Sequence, residues 1–260
     1  MHVAITRAVS PAIADCELTH LARHPIDYTR AQTQHRAYEA ALRDLGCLVQ
    51  TLPADALLPD SVFVEDVAVV LDEVAVLTRP GAPSRRAETP AVAAALSPYR
   101  PLLAIEGPAT LDGGDVLRID RTLYVGLTDR TTQGAIDQLA TLLAPYRYQV
   151  RAVPVEGCLH LKSAATLIAP GTVLCNRRWI DPSGFGGVDV LEVDPGEPYA
   201  ANGLLVGDRV IYPTSFPATR RVLERRGLRL VPLDVSELQK AEGAVTCCSL
   251  VFEGPRRDVS

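Results

Sequence analysis

The sequence predicts an α/β fold: five β-β-α units closed into a ring, with their strand ends turned toward a common axis. Three observations lead there. Short apolar strand pairs joined by polar turns recur at 67–71 with 74–78, 116–119 with 123–125, 165–168 with 173–175 and 203–206 with 210–212. Polar residues at the strand mouths keep a common rhythm, with Asp66, Asp112, His160, Asn202 and Cys247 following one another at spacings of 42 to 48 residues. Helical patterns rather than further strands lie between the hairpins, which separates this ring from an all-β propeller of similar period.

Taken in order, the first unit needs both ends of the chain. Residues 3–6 find a partner only in 249–252, and that pairing closes the ring and removes a loose sheet edge. Residues 29–45 place Tyr38, Ala41, Leu42 and Leu45 on one helical face, and Gly46 stops the helix. The hairpin turns are Asp72-Glu73, Asp120-Arg121, Pro170-Gly171 and Gly207-Asp208, all suited to tight reversals. Further helices are expected at 90–96, at 132–143 before Pro145, and at 219–226 before Gly227. The stretch 177–187, with Gly184, Gly186 and Gly187, reads as a mobile loop. No low-complexity linker interrupts the chain, so a single domain over 1–260 is expected.

A chain of 260 residues can bury a sizeable core. Its net charge of −5 argues against nucleic acid, since phosphate binding wants a basic face. No uncharged apolar run approaches the roughly 20 residues needed to span a bilayer, and the first residues lack the apolar core of a signal peptide. The six cysteines form no CxxC pair and no secreted disulfide spacing. A reducing, cytoplasmic location is therefore expected, with most thiols acting as small hydrophobes.

Taken singly, the polar residues have bland explanations. Cys247, beside Cys248 and ahead of an apolar strand, reads as packing. His160 reads as a satisfied core histidine, and Asp112 in Asp112-Gly113-Gly114 as turn chemistry. Their shared placement at successive strand mouths changes that reading. A thiol nucleophile needs an imidazole partner, and the imidazole needs a carboxylate to orient it. Glu65-Asp66 adds two carboxylates entering an apolar run, costly unless a cation such as a guanidinium meets them.

Six stretches together resemble the dimethylarginine dimethylaminohydrolase family: PDSVFVED from 59, TRPGAPSRR from 78, LDGGDVL from 111, LHLKS from 159, AAN from 200 and TCCS from 246. The resemblance runs from about Leu18 to Phe252. It implies the pentein α/β-propeller, five ββαβ-type units with pseudo-fivefold symmetry around a central active-site pocket. It also implies Cys247 as nucleophile, His160 as general acid and base, and Asp112 as the histidine's partner. Glu65 and Asp66 would hold the guanidinium. Leu18, through its backbone, and Asp60 would meet the substrate's amino group, Arg85 and Arg130 its carboxylate, with a last backbone contact near Ala241. The loop 177–187 matches no family motif, Cys248 is a bystander, and some relatives have Glu where this chain has Asp112.

The activity implied is hydrolysis of Nω-methylated arginines to citrulline and an amine through a covalent thiouronium intermediate. No cofactor and no metal are expected, and no nucleic acid or membrane partner; the protein is expected as a monomer or homodimer acting on a small molecule. Carboxylates around Cys247 should hold its thiol neutral until a cationic substrate arrives. Three other readings stay open. One is a deiminase acting on unsubstituted arginine, although that family generally carries an extra helical insertion. The others are a non-catalytic arginine-derivative sensor and a propeller-like interaction scaffold.

Overall fold

Alternation along five middle strands builds the architecture. The computed structural model describes residues 1–254, so the last six residues of the expected domain 1–260 lie outside the described residues. Among the described residues there are five three-stranded sheets. Strand β1 (His2–Arg7) leads through helix α1 (Tyr28–Asp44) to β2 (Leu48–Leu52). Strands β3 (Ala68–Val70) and β4 (Ala75–Leu77) form a hairpin, and α2 (Thr89–Leu96) returns the chain to β5 (Leu102–Ala104). Strands β6 (Val116–Ile119) and β7 (Thr122–Leu127), helix α3 (Gln133–Leu143) and β8 (Gln149–Pro154) repeat the path.

In the fourth unit a short helix α4 (Leu161–Ala164) precedes β9 (Ala165–Ala169) and β10 (Thr172–Cys175), and a loop leads to β11 (Asp189–Glu192). The fifth holds β12 (Leu204–Val206), β13 (Arg209–Pro213), α5 (Pro217–Arg225) and β14 (Arg229–Leu233), followed by α6 (Ser236–Gln239). Strand β15 (Leu250–Glu253) then pairs antiparallel with β1, Ala4 opposite Val251, and supplies the closure expected from the sequence.

Each sheet joins an antiparallel pair to a third strand that runs parallel to its middle member. All five hairpin pairs read from the sequence are present. Reading residues alone missed the third strands, for a physical reason: they are largely outer edges. In β8, for example, only Val153 is buried, so no apolar alternation marks it.

Side chains on a strand point alternately to its two faces, and here each face meets a different neighbour. Val3 and Ile5 of β1 pack against the second unit, and Ala4 against the fifth. Leu123 and Val125 of β7 join the core shared with the second unit, and Tyr124 the core shared with the fourth. Strand β13 repeats this, Val210 and Tyr212 facing the fourth unit and Ile211 the first. Every core is thus the seam between two units. A middle strand buried on both faces reads as a continuous apolar run, which explains why those strands were legible.

One expectation fails. The stretch 177–187 is not free: Ile180 and Phe185 are buried in the core shared by the third and fourth units. The ring of Phe185 meets Tyr124 edge-on at 4.8 Å, and Trp179 packs on Tyr199 at 4.9 Å. Its glycines invited the mobile reading, but aromatic burial outweighs their backbone freedom.

Helix α1 turns Ala31, Tyr38, Ala41 and Leu42 inward at helical spacing, and Asp27 caps it by accepting the Arg30 N–H at 3.0 Å. The fully buried Tyr38 carries a polar tip. Its hydroxyl lies 2.8 Å from the Val245 carbonyl and 2.6 Å from Ser249 Oγ, gripping the segment that bears Cys247 on both sides. Replacement of Tyr38 by Phe leaves both groups short of a partner. It is expected to lower the unfolding free energy by about 1–2 kcal/mol in urea titrations, with the two-state slope unchanged.

Candidate active site

Successive units place one polar residue at the same point, just ahead of their first strand. Asp66 sits in a 3-10 turn before β3, Asp112 just before the turn leading into β6, His160 at the start of α4 ahead of β9, and Cys247 ahead of β15. Cys247, His160, Asp112, Asp66 and Asp60 line one small cavity of about 20 Å³. Arg85, Arg130 and Ala241 border the same space, together with Glu17, Phe63 and Glu242.

Two expected contacts do not line it. Leu18 packs its side chain against the core between the first and fifth units. Glu65 turns toward the central cavity on the far side, where its carboxylate takes hydrogen bonds from Lys162 Nζ at 2.5 Å and Thr246 Oγ1 at 2.8 Å. The reason is electrostatic: a buried carboxylate takes the nearest cation, and for Glu65 that is Lys162.

The imidazole is tightly framed. Its Nε2 lies 3.0 Å from Asp112 Oδ2, and its Nδ1 is 3.8 Å from Asp66 Oδ1. Asp112 is itself held by the Gly81 N–H on Oδ1 at 2.8 Å. Asp115 fixes the next stretch, accepting the Leu161 N–H at 2.9 Å and the hydroxyls of Thr128 and Thr131 at 2.7 and 2.6 Å. Asp66 accepts the Gly114 N–H at 3.0 Å and forms an ion pair with Arg85. Arg85 also donates from Nε and Nη2 to Glu88 and from Nη2 to the Asp60 and Phe63 carbonyls, while Nη1 makes one bond, to Asp66. The half-exposed Arg130 makes one side-chain bond, to Thr19 Oγ1 at 2.9 Å.

The Gly113-Gly114 pair has a role beyond turning the chain. A Cβ at Gly114 would stand 2.6 Å from His160 Nδ1 and 2.7 Å from Asp66 Oδ1, and one at Gly113 would lie 2.0 Å from the Glu65 carbonyl. Only glycine lets this backbone approach so closely.

Reading residues missed Asp115, Glu88, Lys162 and Thr246. The signal for Asp115 was available, since it heads into the apolar Val116-Leu117 just as Asp66 heads into Val67-Ala68. Nothing local distinguishes Glu88 or Lys162.

Burial alone would make His160 less basic, but the charges of Asp66 and Asp115 and the hydrogen bond to Asp112 outweigh it and raise it to about 9. Burial likewise pushes Asp66 upward, and the charges of His160 and Arg85 overcome it, keeping the carboxyl below its ordinary value. Desolvation, followed by the charges of Glu65 and Asp66, holds the Cys247 thiol well above a free cysteine. At neutral pH the site therefore rests as thiol and imidazolium, in the direction expected from the sequence. Asp66, Asp112 and His160 could together present three atoms to a cation, all within 4.8 Å of one another. A protonated imidazole and an Arg85-paired carboxylate are poor ligands, so the donor chemistry fits a metal badly.

A family model described as eukaryotic N,N dimethylarginine dimethylhydrolase matches residues 20–169. A Streptomyces coelicolor protein named N(G),N(G)-dimethylarginine dimethylaminohydrolase is 42% identical over 95% of both chains. The chain belongs to the dimethylarginine dimethylaminohydrolase family. A Pseudomonas aeruginosa protein of the same name is 35% identical over 87% of this chain and 90% of its own. Among solved dimethylarginine dimethylaminohydrolases, a cysteine-to-serine variant of the Pseudomonas aeruginosa enzyme complexed with citrulline superposes with a TM-score of 0.91. It is 33% identical and covers 96% of this chain and 98% of its own. The N-terminal domain of ArgZ, a cyanobacterial arginine dihydrolase, shares the fold at a TM-score of 0.86 and 19% identity. The five-unit α/β-propeller expected of this family is therefore present.

Two outcomes are expected. Gly114→Ala should fold with wild-type circular dichroism yet lose citrulline-forming activity by about a hundredfold, because the methyl displaces His160. His160 is raised from an ordinary 6.5 to about 9, so its stabilising contribution is complete below 6.5 and disappears as pH climbs to about 9. Urea midpoints measured across that window should fall more in the wild type than in His160→Gln.

Proposed function

We propose that this protein hydrolyses Nω-methylated arginines, asymmetric dimethylarginine and monomethylarginine, to L-citrulline and dimethylamine or methylamine. One observation carries the reading. A thiol and a carboxylate-bound imidazolium share a small cavity whose carboxylates, Glu17, Asp60, Asp66, Asp112 and Glu242, outnumber its cations, Arg85, Arg130 and His160. Such a cavity favours a cationic guest beside a nucleophile.

In the proposed complex Asp66 holds the guanidinium and Asp60 the amino group. The side chain of Arg130, with donors to spare, takes the carboxylate, while Arg85 contributes charge and anchors Asp66. The backbone near Leu18 and Ala241 completes the amino-acid end. Glu65, bound to Lys162 and Thr246, supplies negative charge from behind rather than a direct contact.

The positive guanidinium offsets the carboxylates that disfavour thiolate, so Cys247 releases its proton to solvent as substrate binds. The thiolate adds to the guanidinium carbon and gives a tetrahedral adduct. The His160 imidazolium then donates its proton to the departing amine nitrogen as the C–N bond breaks, leaving a thiouronium on Cys247. Neutral His160 next takes a proton from water, and the resulting hydroxide adds to the same carbon. On collapse the C–S bond breaks as the hydroxyl proton passes to the departing sulfur, which releases citrulline and restores the thiol beside the already reformed imidazolium. Asp112 stabilises the imidazolium throughout.

The purified protein is expected to form citrulline from asymmetric dimethylarginine and monomethylarginine and to leave arginine largely untouched. Turnover of arginine alone would identify a deiminase, and no turnover a sensor or scaffold. Cys247→Ser should bind the methylated substrates calorimetrically while citrulline formation drops by at least about a thousandfold.

A further inference from the structure

Asn202 is the one member of the five-residue rhythm without a role in the chemistry above. It enters just before β12, at the position its unit shares with Asp66, Asp112 and His160. Its side chain is buried, 3% exposed, and fully engaged. The carboxamide Oδ1 accepts the Thr246 N–H at 3.1 Å, while Nδ2 donates to Thr246 Oγ1 and to the Lys162 carbonyl, both at 3.0 Å. These partners fix which way the amide points. Reversed, it would set NH₂ against an N–H and oxygen against a carbonyl.

Thr246 passes the constraint on. Because its hydroxyl receives from Asn202, its own proton goes to Glu65 Oε2 at 2.8 Å, and the Glu65 N–H returns to the Cys247 carbonyl at 3.2 Å. The residue before the nucleophile is thereby held at both backbone and side chain, and the nucleophile's own carbonyl is held from the second unit.

We propose that Asn202 is a positioning residue for the nucleophile: its carboxamide clamps Thr246, and the Asn202–Thr246–Glu65 chain aims the sulfur of Cys247 at the guanidinium carbon. The inference rests on the reading of Cys247 as nucleophile. A neutral carboxamide suits this task, since it offers a donor and an acceptor at once and adds no charge to a site already rich in carboxylates. Aspartate at this position would lose both donated bonds and push an oxygen toward the Lys162 carbonyl. Misalignment of a reacting atom by about 1 Å costs on the order of a hundredfold in rate. The signature is therefore a fall in kcat with substrate affinity kept, because Asn202 lies outside the lining of the cavity that receives the substrate.

The test compares Asn202→Ala, Thr246→Val, Thr246→Ser and the Asn202→Ala/Thr246→Val double variant, using asymmetric dimethylarginine as substrate. Expected are kcat losses of about thirtyfold to a hundredfold in each of the first two, with KM within about threefold of wild type. Thr246→Ser, which keeps the hydroxyl, should recover most of the kcat lost in Thr246→Val. The double variant should be no slower than the worse single, because the chain acts as one unit. Wild-type kcat in Asn202→Ala, multiplied losses in the double variant, or Thr246→Ser as slow as Thr246→Val would overturn the proposal. If Asn202→Ala does not fold, the Thr246 pair decides alone. A wild-type protein that forms no citrulline would instead remove the underlying reading of the site.

Discussion

Charge buried at the ring axis is the constraint around which this molecule is organised. Asp66, Glu88, Asp112 and Asp115 are nearly inaccessible, and the solvent that would normally stabilise them is replaced by a small set of fixed partners. Arg85 serves Asp66 and Glu88, His160 faces Asp66 and Asp112, and Thr128, Thr131 and the Leu161 amide serve Asp115. Such groups are tolerated only with well-aimed donors, so the backbone around them cannot drift. The same rigidity sets the protonation of the groups that face them. A histidine between carboxylates keeps its proton, and a cysteine beside them keeps its own.

Seam-like packing makes that arrangement possible. Because alternate residues of β1, β7 and β13 belong to different cores, no unit can shift without opening two interfaces. A site assembled from four or five units needs such mutual locking, since an error of an ångström in one would misplace a reacting atom. Tyr38 contributes from the outer layer, reaching from α1 to both sides of the segment that bears Cys247.

The sequence made the hairpins and the larger helices legible, because their middle strands are apolar on both faces and α1 and α3 carry clear inward stripes. It also made visible that Asp66, Asp112, His160 and Cys247 share a placement, since polar groups at apolar strand mouths are few. The outer strands were not visible, being half-exposed and without a period. Nor were the partners that decide each acid's orientation. That Lys162 claims Glu65, and that Arg85 is spent on Asp66 and Glu88, depends on folding distances that no spacing encodes. Loop 177–187 misled because its glycines are local whereas the anchoring of Phe185 by Tyr124 is not.

The pairing of β15 with β1 has a bearing on biosynthesis. Cys247 leaves the ribosome after the units that contribute its companions, and its strand settles against β1, made well before it. Until that late docking the partly formed site holds the imidazole and its acids without the Cys247 sulfur, and β1 lacks its antiparallel partner along one edge. Ring closure and the arrival of Cys247 among these groups are therefore one event, and a chain ending before Leu250 leaves one edge of β1 unpaired.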